Sequence, residues 1–502
     1  MWICDFISIT NTNKMKEETV YIPRECNYLS DYIDVLPGNC ILDKGMCGCG
    51  GTTLELTSKR NSLILVPTIN LVLNKAREGI LGVTGDTETC ELIDYLKSDV
   101  PYKKIMCTYD SFRKVIDKIG RDFFLLVDEY HVLFLQYKFR NKAIRYLLDN
   151  YSKFDEVCFM SATPLTENNV LKEISSLPVI RYRWIGKLPV QVNYMPTAWW
   201  RKELHNRILE CLNSDYNLHI FLNSFMTIKY MVNRLPDIDY RVVCSKYQRD
   251  RSSLNYQGIN SKVRKVNFYT STAFEGTDIF DRKGKTIVVS DTNITCTVSD
   301  ISVLLPQIAG RLRDSIYLNQ IEYIFSAANH RYYNKTKREF DMFVMENERQ
   351  GNISVGNYES LSDEGRMNMM RIVSDDLLMN FYVGRDDDGM YLDPNLKNID
   401  MDNFRQFNEL KYLYTQRPSE YVPESRTAHK DRVYKSRYEE LAYKVLQLGK
   451  PYTRDLLDRI LLEKGILNNA GMWNRFIVDN FSSFKKERKS IGGKNQTVYT
   501  FY

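Results

Sequence analysis

The run DFFLLVDEYH, residues 122–131, sets the strongest limit on the fold. Phe123 to Val127 leave no polar face, so an extended segment there must be covered on both sides, as strands of parallel sheets are. SLILVPT (62–68), KKIMCTY (103–109) and EVCFMSATP (156–164) are of the same kind, and helix-like stretches such as NLVLNKAREGIL and SFRKVIDKIG lie between them. Strands alternating with helices predict an open α/β sheet. The rhythm restarts after residue 190, with NLHIFLN (217–223), YRVVCS (240–245), KVNFYTS (265–271), KTIVVSD (285–291) and IEYIFS (321–326) as strands. The expected fold class is α/β, with two such units in series filling residues 1–345.

Past residue 345 the pattern changes. Residues 346–425 carry Asn, Met and Tyr and an acidic turn, GRDDDG at 384–389, and read as an accessory or connecting region. Farther on, RYEELAYKVLQL (437–448), TRDLLDRILLEKG (453–465) and AGMWNRFIVDNF (470–481) space their apolar residues at helical intervals. FKKERKSIGGKNQTVYTFY then gives two strand-like runs around a Gly-Gly turn. Three helices and a basic hairpin predict an α+β winged helix over 426–502. Arg475 on the third helix and Lys485, Lys486, Arg488, Lys489 and Lys494 on the wing are its candidate nucleic-acid contacts. Charge agrees: 426–502 hold 16 Lys+Arg against 8 Asp+Glu, a net of +8 where the whole chain is +6, so residues 1–425 carry −2. A positive field concentrated at one end suggests a polyanion partner.

Other classes are disfavoured. The eleven cysteines form no C-x-x-C pair and have five histidines to complete a site, so neither a zinc centre nor a disulfide framework is expected. No apolar run reaches the ~20 residues needed to span a bilayer. MWICDFISITNTNKMKEE lacks the cationic start and long apolar run of a secretory leader. A cytoplasmic protein with reduced thiols and no membrane partner is the expectation.

The chemistry-bearing stretch is DKGMCGCGGTTLEL, Asp43 to Leu56, a glycine-rich loop between the strand-like NCILD and an apolar helix start. That is the layout of a phosphate-binding loop, G-x-x-x-x-G-K-[ST], in which backbone N–H groups cradle phosphates and a lysine neutralises the outer ones. Gly45 and Gly50 stand at the glycine positions and Thr52 at the hydroxyl position, but Gly51 stands where lysine is expected. Asp128 and Glu129 end an apolar strand, at the edge where an open α/β sheet presents its ligands. Asp128 suits Mg2+, and Glu129 suits the polarising of an attacking water. Ser161 and Thr163 leave the next strand in MSATP. In the second unit STAFEGTD (271–278) follows a strand, and QIAGRLRD (307–314) offers two guanidiniums, Arg311 and Arg313, to phosphates across a cleft.

Taken in order, these stretches resemble the motifs of superfamily 2 helicases and translocases, over residues 36–330. GMCGCGGTT is similar to motif I, VPT (66–68) to motif Ia and CTYDSF (107–112) to the segment after it. VDEYH resembles motif II in its Asp-Glu-x-His form, SAT motif III, FLNS motif IV, STAFEGTD motif V and QIAGRLRD motif VI. The resemblance implies two tandem RecA-like domains, 1–190 and 191–345, with ATP and Mg2+ in the cleft between them and hydrolysis driving movement on nucleic acid. It implies nucleotide contacts from Lys44, Gly45, Gly48, Gly50, Gly51, Thr52 and Thr53, with Thr52 and Asp128 on the metal. Glu129 would act on water, and Gly276, Asp278, Gln307, Arg311 and Arg313 would complete the site from the second domain. Pro67, Thr68, Thr108, Tyr109 and Thr272 would line a track that follows the phosphate backbone. The basic C-terminal module favours DNA over RNA.

Three departures stand out. Gly51 replaces the lysine; Asp314 stands three residues after Arg311, where a second arginine is common; and no glutamine precedes Gln136, so motif I has no upstream adenine-reading glutamine. Loss of a charge-assisted contact costs ~1.5–3 kcal/mol, and two outcomes follow. In one, Lys44 swings its four-carbon stem over the phosphates, helped by close backbone approach at Gly50-Gly51. In the other, the site binds weakly or does not hydrolyse, and the chain is a helicase-like DNA-binding scaffold of origin-binding or regulatory type; the bland role for Lys44 is that of a solvated loop residue.

Overall fold

The computed structural model describes residues 17–165, 170–187, 189–235, 238–245, 254–259, 261–327, 335–374, 378, 381–415, 446, 450–463, 484–491 and 494–501. Arg475, the stretch 470–481 and nearly all of 437–448 lie outside the described residues.

Eight strands make the first sheet: β1 (Glu17–Ile22), β2 (Cys40–Asp43), β3 (Ser62–Val66), β4 (Ile80–Val83), β5 (Lys104–Thr108), β6 (Phe124–Asp128), β7 (Val157–Ser161) and β8 (Val179–Trp184). Their order is β1-β8-β2-β7-β6-β3-β5-β4, and every pairing is parallel. The apolar runs explain the two-sided burial. Along β3, Leu63 and Leu65 join one buried cluster and Ile64 and Val66 the other; along β6, Leu125 and Val127 oppose Phe124 and Leu126 in the same way. Each fully buried aliphatic side chain contributes about 1.5–3 kcal/mol, and the buried polar residues of these strands, Ser62 and Asp128, stand at their ends.

One edge departs from expectation. NLVLNKAREGIL predicts a single helix, but the helix is Ile69–Lys75, and the chain turns at Gly79, where φ is 80°. A side chain disfavours that left-handed backbone, so the turn needs glycine. Ile80–Val83 then pairs with β5 as an edge strand. At the opposite end β1 and β8 mix polar and apolar residues and carry no continuous apolar run to announce them.

The second sheet holds β9 (Gln191–Pro196), β10 (Asn217–Phe221), β11 (Tyr240–Val243), β12 (Val266–Tyr269), β13 (Gly284–Asp291) and β14 (Gln320–Ser326). Its order is β11-β12-β10-β13-β14-β9, again parallel throughout. Val288 and Val289 face separate buried clusters on its two sides. The fold class is thus α/β, two RecA-like parallel sheets in series.

Helices Lys337–Glu359, Asp363–Ile372 and Pro394–Thr415 follow, with a short antiparallel pair, β15 (Val383–Arg385) and β16 (Met390–Leu392). This region returns to the first sheet: Phe340, Val344, Tyr382, Leu396 and Ile399 sit in one of that sheet's clusters, while Leu410 enters a cluster of the second. At the C-terminus β17 (Pro451–Thr453), helix Arg454–Glu463 and the hairpin β18 (Phe484–Ile491) and β19 (Lys494–Phe501) make a three-stranded antiparallel sheet consistent with a winged domain. Among the described residues no helix is long and apolar enough to cross a membrane.

Candidate active site

Strands β2, β7 and β6 are neighbours, and their C-terminal ends bring Asp43, Ser161 and Asp128 to one edge of the first sheet. The loop leaving β2 is held in an unusual shape. Gly45, Gly48 and Gly50 all have positive φ, 69°, 77° and 84°. A Cβ on Gly45 would fall 2.2 Å from the Tyr182 carbonyl oxygen, so backbone approach and backbone angle both require glycine there. The loop is pinned from outside as well. Trp184 Nε1 donates to the Lys44 carbonyl at 2.8 Å, and the Gly45 N–H donates to Asp43 Oδ1 at 2.9 Å. The Leu29 N–H donates to the Cys49 carbonyl at 2.8 Å, and Arg183 pairs with Asp43 at 2.8 Å.

Lys44 is 5% exposed and points inward. Its ammonium lies 3.4 Å from Asp128 Oδ1 and 3.1 Å from Glu129 Oε1, so it is not a solvated loop residue. The Thr52 hydroxyl donates to Asp128 Oδ2 at 2.5 Å. Burial disfavours both charged partners, but the attraction outweighs it. The Lys44 ammonium is held above its ordinary range by Asp128 and Glu129, and the Glu129 carboxyl is held down at about 2 by Lys44, His131 and Arg311. Glu129 is a non-glycine residue at φ 55°, a conformation costing of order 1–2 kcal/mol. The Tyr109 hydroxyl donates to the carbonyl oxygens of Asp128 and Glu129 at 2.6 and 3.2 Å and holds that turn.

The second sheet contributes helix Leu304–Ala309. Gln307, fully buried, donates from Nε2 to Glu129 Oε2 at 2.9 Å and to Thr163 Oγ1 at 3.0 Å. Arg311 is 2% exposed; its guanidinium donates to the Gln307 carbonyl at 2.7 Å, to Gln307 Oε1 at 2.9 Å and to the Thr277 carbonyl at 3.4 Å, so here it orients Gln307. Arg313 pairs with Asp278 at 2.5 Å and faces the glycine loop, where a Cβ on Gly48 would fall 1.9 Å from its Nη1. A Cβ on Gly276 (φ 65°) would fall 2.1 Å from Leu71 Cδ1 of the first unit. Two of the close approaches between the units are therefore made at glycines.

His131 and Glu275 also belong to this site, and residue spacing did not single them out. His131 is fully buried, with Nδ1 2.9 Å from Ser161 Oγ and 3.5 Å from Glu129 Oε2, and with Nε2 3.6 Å from Glu275 Oε1. The available signals were the Asp-Glu-x-His pattern and the acidic residue inside STAFEGTD.

The expected nucleic-acid residues divide. Thr108 and Tyr109 are 4% and 1% exposed, which corrects their expected place on a strand-tracking surface: Tyr109 lies beneath the Asp128–Glu129 turn, and the Thr108 hydroxyl donates to Ser111 Oγ at 3.0 Å. Pro67 is buried too, its carbonyl accepting from Arg140 at 2.9 Å, and Thr68 caps helix Ile69–Lys75 through the Leu71 N–H at 3.3 Å. Thr272 is half-buried beside Thr270, while Thr53 is exposed one turn from the loop. On β18, Lys485, Lys486, Arg488 and Lys489 are exposed; Lys494 opens β19.

The residues fit the groups the resemblance implies. The Thr52 hydroxyl and Asp128 carboxylate are the hard oxygen donors Mg2+ takes beside phosphate and water. The loop with its three positive-φ glycines is a cradle that side chains would fill.

No family model and no curated protein matches the sequence. Solved structures do resemble the fold. Helicase Lhr of Mycobacterium smegmatis, bound to ssDNA and AMP-PNP, is 13% identical over 59% of this chain and 44% of its own, with a TM-score of 0.39. Dbp5 of S. cerevisiae, bound to RNA and ADP BeF3, is 12% identical over 61% of this chain and 82% of its own, with a TM-score of 0.41. The DUF1998 helicase MrfA, bound to DNA, is 14% identical over 58% of this chain and 44% of its own, with a TM-score of 0.36. The chain spans less than half the length of Lhr and of MrfA. These likenesses concern the fold; the roles of individual residues rest on the geometry above.

Proposed function

We propose that this chain is an ATP-driven nucleic-acid helicase or translocase that hydrolyses ATP in the cleft between its two parallel sheets. The observation that carries this reading is that one carboxylate, Glu129, is gripped from both units, by Lys44 at 3.1 Å and by Gln307 at 2.9 Å. A base touched by both halves of a cleft senses whether the cleft is closed. In this reading Thr52 and Asp128 would hold Mg2+, which neutralises phosphate charge when bound. Glu129, already ionised, would orient a water and take its proton. Lys44 would share its ammonium between the carboxylates and the phosphates, and Arg313 would approach those phosphates beside Gly48. DNA is the favoured partner, because the positive charge is concentrated in the expected winged module at 426–502.

A second reading has its own support. The Lys44 ammonium stands between Asp128 and Glu129, where it already neutralises the pair that a metal would meet. A lysine fixed there would make the chain a helicase-like DNA-binding scaffold without turnover.

The deciding experiment is ATP hydrolysis by the purified chain with single-stranded DNA, duplex DNA or RNA, beside Glu129→Gln and Lys44→Ala. Nucleic-acid-stimulated turnover that collapses in Glu129→Gln is expected, with a parallel loss in Lys44→Ala. Equal inertness of wild type and Glu129→Gln, with DNA still bound, would replace the motor by the scaffold.

A further inference from the structure

Helix Pro394–Thr415 touches both halves of the site. On the first unit, Tyr137 OH donates to Asp393 Oδ2 at 2.8 Å, Lys138 pairs with Asp400 at 2.5 Å, and the Lys172 N–H donates to Asn395 Oδ1 at 3.2 Å. Tyr137 and Lys138 open helix Tyr137–Asn150, directly after the short helix His131–Leu135 that leaves Asp128 and Glu129. Leu396 and Ile399 anchor this end in the first sheet's core.

The other end grips the second unit. Arg405 pairs with Asp300 at 2.6 Å, and Asp300 is 2% exposed. Asp300 Oδ1 accepts from the Ser302 and Val303 N–H groups at 2.7 and 3.2 Å, at the entry to helix Leu304–Ala309, which carries Gln307. Arg405 is held in turn by Asp402 at 2.8 Å and Glu409 at 2.7 Å, and Leu410 packs into the second sheet's core. From Asp400 to Arg405 the helix rises only about 7.5 Å, so the contacts to the two units lie less than two turns apart. A helix cannot stretch, so opening the cleft must break one set of contacts or carry the helix with one unit.

We propose that helix Pro394–Thr415 is a strut that sets the spacing between Glu129 and Gln307, with Arg405 and Asp300 as positioning residues. Its kinetic consequence rests on the ATP-hydrolysis reading above; its mechanical consequence does not. The test uses the full chain with spin labels on Cys90 and Cys296, exposed cysteines of the first and second units, in a background with Cys4 and Cys47 changed to Ser. Arg405→Ala is expected to broaden the inter-label distance distribution and to lower kcat for ATP about tenfold with KM changed less than about twofold, as misplacement of a catalytic group does. Arg405→Lys, which keeps the charge, restores most of both. Because Arg405→Ala leaves Asp300 buried without its arginine, Lys138→Ala provides an independent arm: it removes a half-exposed ammonium and should broaden the distribution in the same sense. Unchanged distances in both alanine variants would overturn the strut. If wild type hydrolyses no ATP but the alanine variants broaden the distribution, the strut stands and the hydrolysis reading falls.

Discussion

Replacing Lys44 by Met keeps the volume of the side chain and removes its charge, which isolates what the buried ammonium does. Lys44, Asp128 and Glu129 are 5%, 2% and 5% exposed, so the variant leaves two carboxylates buried without their cation. Breaking a buried pair by removing one partner costs ~3–5 kcal/mol. The low end applies here, because Glu129 keeps Gln307 at 2.9 Å and Asp128 keeps Thr52 at 2.5 Å. About 3 kcal/mol in a unit of this size corresponds to a fall of roughly 6–12 °C in its melting transition. The pH dependence fixes the cause. In wild type the Glu129 carboxyl is held down at about 2 against an ordinary 4.5, so its contribution is complete above about 4.5 and fades only as pH falls toward 2. Without Lys44, burial pushes that carboxyl up and it takes a proton at higher pH. The deficit of Lys44→Met should therefore shrink as the pH is lowered from 8 to 5. Lys44→Met/Glu129→Gln should be more stable at pH 7 than Lys44→Met alone, a coupling of about 1–2 kcal/mol. Calorimetry that follows the transition of the first unit separately, since a chain of several units does not unfold in one step, measures all of this. A loss under about 2 °C, identical at pH 5 and pH 8, with Glu129→Gln purely additive, would refute the buried-triad reasoning.

Two further outcomes follow from named contacts. Gly276→Ala puts a Cβ into Leu71 across the cleft and strains a backbone at φ 65°, so it should wedge the units apart and lower stimulated ATP turnover at least tenfold. Leu71→Ala in the same chain should restore part of that turnover, and a Gly276→Ala protein as active as wild type would mean the units do not close as seen here. Lys486 and Arg488 share one face of β18, by the alternation of a strand, and both are exposed. Their joint replacement by Ala should lower the slope of log affinity against log salt for duplex DNA by about 2, read by titration at several salt concentrations, and an unchanged slope would remove this face from the DNA contact.

What was legible in the sequence is what burial writes into composition. The strands with continuous apolar runs, β3, β5, β6 and β7, each have a neighbour on both sides and declare themselves. Others do not: the edge strand β1 and its neighbour β8 mix polar and apolar residues, and ILGV of the edge strand β4 passes for the end of a helix because nothing local reports that Gly79 turns the chain. The glycine loop and the Asp-Glu pair were visible because each needs a particular residue at a particular spacing. The direction of Lys44 was not. A lysine beside a loop looks the same from the sequence whether it meets water or two carboxylates 84 and 85 residues away. Tyr109 was assigned to a strand-tracking surface by the motif resemblance alone, which does not report burial; its hydroxyl instead holds the Asp128–Glu129 turn. Nor does anything near residue 400 announce that its helix grips helices reached from residues 138 and 300.

Packing one layer away bears on the absence of a lysine at position 51. Gly51 begins helix Gly51–Thr57, and a Cβ there would lie 2.6 Å from Met160 Sδ and 3.0 Å from its Cε, with Leu29 behind at 3.5 Å. Met160 is fully buried on β7 and part of the core under the loop, so it has little room to withdraw. A lysine at 51 would overpack this contact at a cost of typically 1–3 kcal/mol. On the proposed reading of Lys44, glycine at 51 and lysine at 44 are two parts of one arrangement, in which the charge enters from the strand end instead of from the helix start. The consequence is testable. Gly51→Lys in a Lys44→Ala background should fail to recover ATP turnover and should lower the melting transition further, whereas adding Met160→Ala should recover part of that stability by making room for the stem. Full rescue of turnover by Gly51→Lys alone, without loss of stability, would show that Met160 does not exclude the lysine and that its absence at 51 has another cause.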